Sequence, residues 1–245
     1  MIPREISEHH QLNKNMPITS DLTFVATIRD RDRDRVEKFL NSIALQKYPC
    51  NAIVVDYGSL PQNTDWEREI IPSEFTEFIE VTEDISVFNK CRALNIGIKR
   101  VRTKYMVSTD IDCIFSDNFA EEIMRILIAG EKEMALCQKI DLDEHGQEIG
   151  LHEPSAVGSC IALPTKWVKK VHGYDEKFTY WGREDNDMVQ RAMADNFRVT
   201  WITNIVKLYH QWHEPPQMPT LQNNDDYYKI PNKPIIRNPG MWGEL

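Results

Sequence analysis

The chain predicts an α/β fold, with a mostly parallel central sheet flanked by helices, built as a single domain of two fused halves. Three observations carry that expectation. Short apolar runs alternate with stretches whose apolar residues recur at helical spacing, in the order strand, helix, strand, strand, helix, strand. A length of 245 residues, 41% hydrophobic and 27% charged, suits one substantial core in an ordinary globular protein. The apolar run over residues 105–115 carries Asp110 and Asp112 at its tip, and ligands of open α/β sheets sit beyond the carboxyl ends of strands.

Residues 1–20 are polar and aperiodic and read as a surface extension. Residues 22–28 (Leu-Thr-Phe-Val-Ala-Thr-Ile) form the first expected strand, followed at once by Arg29-Asp30-Arg31-Asp32-Arg33-Asp34-Arg35. That alternation has two readings: a solvated helix start, or, at a strand's end, Arg29 and Arg31 as guanidinium partners for phosphate. Val36, Phe39, Leu40, Ile43 and Ala44 recur as one helix face, which Tyr48-Pro49 ends. Residues 52–56 are the second strand. Asp56 before Tyr57-Gly58-Ser59 is either turn chemistry or a hydrogen-bond partner for a nucleoside.

A short strand is expected at 75–81, then a helix over 88–100 with Cys91, Leu94 and Ile98 on one face, leading into the strand that carries Asp110 and Asp112. Strand side chains alternate faces, so acids at i and i+2 should point the same way. Two hard oxygen ligands there suit Mg²⁺ or Mn²⁺, ions that commonly neutralise phosphate-bearing substrates. Beyond it, the pattern predicts a helix at 118–129, strands at 133–140 and 158–164, a short helix at 165–171 and a last strand within 198–209. The segment Asp141-Leu-Asp-Glu-His145-Gly reads as a polar turn whose acids and histidine are solvated. Residues 214–245 hold six prolines at 215, 216, 219, 231, 234 and 239, which exclude a long helix or central strand and leave a lid or a wrapped tail. The expected divisions are therefore 1–20, 21–115, 116–213 and 214–245.

A net charge of −9 argues against a nucleic-acid partner. Cys50, Cys91, Cys113, Cys137 and Cys160 lack any paired spacing and read as reduced, buried thiols, and no apolar run is long enough to span a bilayer. The first residues carry charge without an apolar stretch, so no leader and a cytoplasmic location are expected.

Thr27-Ile-Arg-Asp-Arg31, Val55-Asp-Tyr-Gly-Ser59, Phe88-Asn-Lys-Cys-Arg-Ala-Leu-Asn-Ile-Gly97 and Ser108-Thr-Asp-Ile-Asp112 together resemble the nucleotide-sugar half of a GT-A (Rossmann-like) glycosyltransferase. The first two resemble family 2, and the Phe-Asn segment onward resembles the β-1,4-galactosyltransferase-like group. Gly173-Tyr-Asp-Glu-Lys-Phe-Thr-Tyr-Trp-Gly-Arg-Glu-Asp-Asn-Asp-Met188 resembles that group's Trp-Gly-Gly-Glu-Asp acceptor motif, departing from it at Arg183, where glycine is common.

The resemblance implies a metal-dependent glycosyltransferase acting on a nucleotide-sugar, a UDP-sugar first, and a saccharide or glycoconjugate acceptor. It implies Asp185 as general base, Glu184 as acceptor-hydroxyl ligand, and Tyr180, Trp181 and Gly182 in the acceptor site. Thr27, Arg29, Arg31, Asp56, Phe88, Lys90 and Asp110 fall around the nucleotide-sugar, and Asp112 on the metal. His210 and His213 stand where those relatives carry Met-x-x-His, so one or both complete the metal site, and a nitrogen ligand favours Mn²⁺ over Mg²⁺. Inversion is expected from the Glu-Asp form of the motif. A retaining transferase, a non-catalytic nucleotide-sugar-binding protein and a metal phosphohydrolase are the alternatives. A nucleotidyltransferase would show a glycine-rich loop after the first strand, which Arg29 to Arg35 lacks.

Overall fold

The computed structural model describes residues 20–82, 85, 87–152, 157–214 and 221–244. The expected extension at 1–20 therefore lies, but for Ser20, outside the described residues. In chain order the elements are β1 (Leu22–Ile28), α1 (Arg33–Ala44), β2 (Asn51–Tyr57), α2 (Pro61–Ile70), β3 (Thr76–Val81), α3 (Lys90–Arg100), β4 (Tyr105–Thr109), β5 (Cys113–Phe115) and α4 (Phe119–Leu127). They continue with β6 (Glu133–Leu136), β7 (Ile140–Leu142), β8 (Glu148–Leu151), β9 (Cys160–Pro164), α5 (Thr165–Lys170), α6 (Glu184–Ala194), β10 (Arg198–Trp201), β11 (Leu208–His210) and α7 (Leu221–Lys229).

Seven strands form the main sheet in the order β10-β6-β9-β4-β1-β2-β3. Every pairing is parallel except those of β9, which runs against β4 and β6. The period of two in the strands sorts their side chains onto two buried faces. Phe24, Ala26, Ile28, Val54 and Val107 pack with Val36 and Phe39 of α1 and Phe119, Ile123 and Leu127 of α4. Val25, Ile53, Val55 and Met106 meet Leu94 and Ile98 of α3, Trp167 and Val168 of α5, and Met188 and Val189 of α6. Each such fully buried side chain stabilises the fold by about 1.5–3 kcal/mol, which makes the three layers one body.

Helix α3 comes unusually close to the sheet. A Cβ at Gly97 would lie 2.7 Å from Val25 Cγ1 and 3.1 Å from Val55 Cγ2, so only glycine permits this packing. Asn89 caps the helix, its side chain accepting from Arg92 N at 2.8 Å, and aims the start of α3 at the carboxyl edge of β4.

Several expected elements differ. The run 105–115 is not one strand: β4 stops at Thr109, and Cys113 N donates to Asp110 O at 3.2 Å to close a turn. Asp110 and Asp112 thus occupy a turn, and their carboxylates find different partners. β5 then enters a second sheet of order β5-β11-β7-β8. The expected strand at 133–140 ends at Leu136, and the expected last strand divides between β10 in the main sheet and β11 in the small one. The polar turn at 141–146 is the tip of the β7–β8 hairpin, where the Asp143 carboxylate accepts from His145 N at 2.9 Å and Gln147 N at 2.8 Å.

Helices α2 and α7 appear where none was expected, the first opened by Pro61 in its first turn and the second lying between prolines of the tail. The tail wraps the body. Arg237, only 6% exposed, meets Asp175 at 3.0 Å and Asp187 at 2.8 Å, and Trp242 stacks on His172 with ring centroids 5.7 Å apart.

Candidate active site

The carboxyl ends of β1 and β4, the start of α3 and the small sheet enclose a cavity of about 750 Å³. Thr27, Arg29, Arg31, Phe88, Lys90, Asp110, Asp112, Tyr180, Trp181, His210 and His213 all line it. A second cavity of about 250 Å³ adjoins it and is lined by Gly182, Glu184 and Asp185, with Asp110, Lys139, His152 and Trp181 shared between the two. Residues from 27 to 213 thus converge on one cleft with a larger and a smaller chamber.

Asp112, His210 and His213 each present a ligand atom within 4.8 Å of the others. His213 Nε2 lies 3.5 Å from Asp112 Oδ2 and His210 Nε2 lies 3.8 Å from Asp112 Oδ1. The opposite ring nitrogens are occupied: His213 Nδ1 faces the Glu214 carbonyl at 2.8 Å, and His210 Nδ1 faces Asp141 Oδ1 at 2.9 Å. Each Nδ1 thus faces an oxygen acceptor, and in the Nδ1–H tautomer that such an acceptor favours, Nε2 offers its lone pair toward Asp112. Burial lowers the His210 pKa despite Asp112 nearby. Two lone pairs facing an anion repel unless a cation lies between them, so this donor set fits a divalent ion.

Beside this triad lies a buried cluster centred on Lys90. Its ammonium is 2.8 Å from Asp110 Oδ1, 3.4 Å from Asp185 Oδ2 and 3.1 Å from Glu184 Oε1, the last an ion pair without hydrogen-bond alignment. Ser159 Oγ donates to Asp110 Oδ2 at 2.7 Å. Although burial opposes its charge, Lys90, Lys139 and these hydrogen bonds hold Asp110 well below the usual carboxylate range. Asp185 goes the other way. Burial, reinforced by Glu184 and Asp110, outweighs Lys90 and pushes its carboxyl up to about 7. Gly158 makes room for it, since a Cβ there would stand 2.6 Å from Asp185 Oδ2.

The loop before α6 is held in an unusual backbone. Tyr180, Gly182 and Arg183 have φ of 58°, 110° and 72°, and non-glycine residues in the left-handed region need support from their surroundings. Helix α7 gives it: Asn224 Nδ2 donates to the carbonyls of Thr179 and Trp181 at 2.9 and 3.0 Å, and the Arg183 guanidinium pairs with Asp225. Gly182 N donates to Glu184 Oε2 at 2.7 Å, and Trp181 stands 44% exposed at the cleft. Arg183 thus adopts the left-handed conformation that glycine would adopt freely.

Two expectations change. Asp56 is 1% exposed and absent from either lining; its oxygens accept from Ser59 N at 2.9 Å and Thr64 Oγ1 at 3.3 Å, which matches the turn reading. Lys90 lines the larger chamber, and its ammonium is engaged there by Asp110, Glu184 and Asp185. Asp141, expected to be solvated, joins His210 to His152. Lys139, His152 and Ser159 were missed, and all belong to segments where the sequence offered only polar turns or unremarkable strand ends. Phe88, with its ring 6.0 Å from that of Tyr57, offers an aromatic wall, and Arg29 is fixed through its bond to the Ile85 carbonyl at 3.1 Å.

All five cysteines are buried free thiols, and no helix among the described residues is long and apolar enough to cross a membrane.

Residues 145–214 match the family described as N-terminal domain of galactosyltransferase. No curated protein matches the chain in sequence. The crystal structure of GalNAc-T7 with UDP, GalNAc and Mn²⁺ aligns at a TM-score of 0.64 and 10% identity, covering 78% of this chain and 44% of that one. S. aureus TarS 1-349 in complex with UDP-GlcNAc aligns at 0.64 and 12% identity, covering 80% of this chain and 59% of that one. The crystal structure of S. aureus TarS 1-349 gives 0.62 at 12% identity, over 78% and 60% of the two chains. The chain thus spans less than two thirds of the length of these structures. By its architecture the chain has the GT-A glycosyltransferase fold, with a galactosyltransferase-like segment running through the acidic loop and the two histidines.

Proposed function

We propose that this chain is a cation-dependent glycosyltransferase that moves a sugar from a UDP-sugar to an acceptor hydroxyl with inversion, Asp185 being the base. The single observation that carries the reading is the position of Asp185. It is largely buried, with its side chain 14% exposed, and its carboxyl is pushed up to about 7; it sits in a small chamber that shares Asp110 and Trp181 with the larger one bearing Asp112, His210 and His213. The structural relatives support the choice of donor, since GalNAc-T7 was crystallised with UDP and Mn²⁺ and TarS with UDP-GlcNAc.

In this reading the larger chamber takes the nucleotide-sugar. Phe88, backed by the buried Tyr57, gives the base an aromatic wall, Arg29 and Arg31 meet the charged part of the donor, and Asp110 receives hydroxyls of the ribose or the transferred sugar. Asp112, His210 and His213 would hold a divalent cation, whose chemistry when bound is to offset charge on the departing diphosphate. Their mixed nitrogen and oxygen donors favour Mn²⁺ over Mg²⁺. The smaller chamber takes the acceptor sugar, with Trp181 covering an apolar face and Glu184 receiving a hydroxyl. The acceptor hydroxyl gives its proton to Asp185 while its oxygen bonds to the anomeric carbon. The bond from that carbon to the diphosphate oxygen breaks, and its electron pair leaves on UDP. A base near pH 7 suits this task, being ionised enough to act and basic enough to take the proton. Residues 221–244, fixed to the body at Arg237 and Trp242, flank the smaller chamber, whose lining includes Leu221 of α7.

Transfer from a panel of UDP-hexoses to simple saccharides, with the anomeric linkage read by NMR, tests the reading. An inverted linkage formed by the wild type and lost in Asp185→Asn supports it. Retention of configuration removes the single-displacement step, donor binding without turnover leaves a binding protein, and phosphate release without acceptor indicates a phosphohydrolase.

A further inference from the structure

The β7 strand brings Asp141 between two imidazoles. Its Oδ1 is 2.9 Å from His210 Nδ1 and its Oδ2 is 2.7 Å from His152 Nδ1, so one carboxylate accepts from both rings. His152 follows β8, the other arm of the hairpin, and lines both chambers. The two rings stand nearly edge to face with centroids 6.1 Å apart, and His210 continues to His213 in the same manner at 5.2 Å. Parallel pairing of Tyr209 with Ile140 and of His210 with Asp141 fixes the clamp in the sheet.

Resting on the cation reading above, we infer that Asp141 is a positioning residue for the cation centre, which holds His210 in the tautomer that aims Nε2 at Asp112 and couples His152 to the same centre. A lone imidazole on β11 could present either nitrogen and rotate about its side-chain bonds. Accepting from Nδ1–H removes both freedoms and makes Nε2 a stronger donor. His213 obtains the same orientation from the Glu214 carbonyl, so the two imidazoles are held independently. Asp141 adds no ligand. It sets the orientation of one ligand and, through His152, ties the β7–β8 hairpin to that orientation.

The test has two readouts besides turnover. In the metal-free wild type, ¹H–¹⁵N NMR of the imidazoles should show His210 and His152 protonated at Nδ1. In Asp141→Ala the His210 signal should move toward a mixture of tautomers while His213 keeps its own. Mn²⁺ affinity, measured by calorimetry without donor, should fall by about 10- to 100-fold in Asp141→Ala and be substantially restored in Asp141→Glu. Finding His210 protonated at Nε2 in the wild type, which needs no variant to fold, would overturn the inference. So would Mn²⁺ affinity within threefold of wild type in a folded Asp141→Ala. If Asp112→Ala binds Mn²⁺ as well as the wild type, the cation reading itself fails, whereas the tautomer result still judges the clamp separately.

Discussion

In the proposed role of base, Asp185 depends on surroundings that make it hard to ionise. With burial raising its pKa to about 7, its carboxylate form grows with pH across the neutral range. Activity limited by the chemical step should therefore climb about tenfold per pH unit below 7 and level off above it. A rate profile flat from pH 5.5 to 8 would speak against Asp185 as base. Asp185→Asn should lower kcat by about 10²- to 10⁴-fold while donor affinity, measured by calorimetry, stays within a few-fold. Lys90 is the cation that favours the charged form of Asp185, so Lys90→Met should move the same rise to higher pH by about one to three units. Lys90→Arg should leave it nearly in place. The carboxylate of Glu67 is fully buried beside Asp56, and burial together with that neighbour pushes it up to about 8. A folded-state value above the unfolded one gives stability that is fully present below the ordinary carboxylate range and is lost as pH rises through about 8. Glu67→Gln should flatten the fall in Tm between pH 5 and 9.

At the scale of elements, helix α3 positions the site, because Asn89 caps it and Lys90 opens it while Gly97 lets it lie on β1 and β2. Gly97→Ala forces a Cβ against Val25 and should destabilise the fold by about 1–3 kcal/mol, read as a fall in Tm of about 2–10 °C. An unchanged Tm would mean that the helix moves freely outward. The α3 contribution was legible in sequence, as were β1, α1 and β9, because their apolar periodicity is strong and their ends carry caps or breakers. The turn at Asp110 was not, since an apolar run on both sides of Ile111 has the pattern of one strand. Only the divergence of partners, Lys90 for Asp110 and the histidines for Asp112, shows why the chain bends there. The β7–β8 hairpin was hidden for a different reason. Its Ile149 and Leu151 are exposed, at 68% and 58%, so burial does not imprint a pattern on it. Helix α7 is nearly all polar, with Asn224 as its buried residue, and its role in bracing the Tyr180–Arg183 loop rests on contacts 43 to 45 residues apart. Tertiary context of that kind leaves little trace in local spacing.

Over the whole molecule, the parallel strands deliver their carboxyl ends to one edge, and the small sheet bends β11 back so that two histidines face the turn of Asp112. The resulting cleft has Glu184 and Asp185 in its smaller chamber and the cation-fitting Asp112, His210 and His213 in its larger one, joined at Lys90 and Asp110. Binding of ion and nucleotide should accordingly be linked. A ligand at 100 times its Kd raises stability by about 2.7 kcal/mol, which for a chain of this size is a rise in Tm of about 5–10 °C. The most direct test is the melting temperature of the wild type and of Asp112→Ala with UDP, with Mn²⁺, and with both. The account predicts a rise of that order for wild type only when UDP and Mn²⁺ are present together, and its loss in Asp112→Ala. A UDP shift that is the same without the ion, or the same in Asp112→Ala, would contradict it.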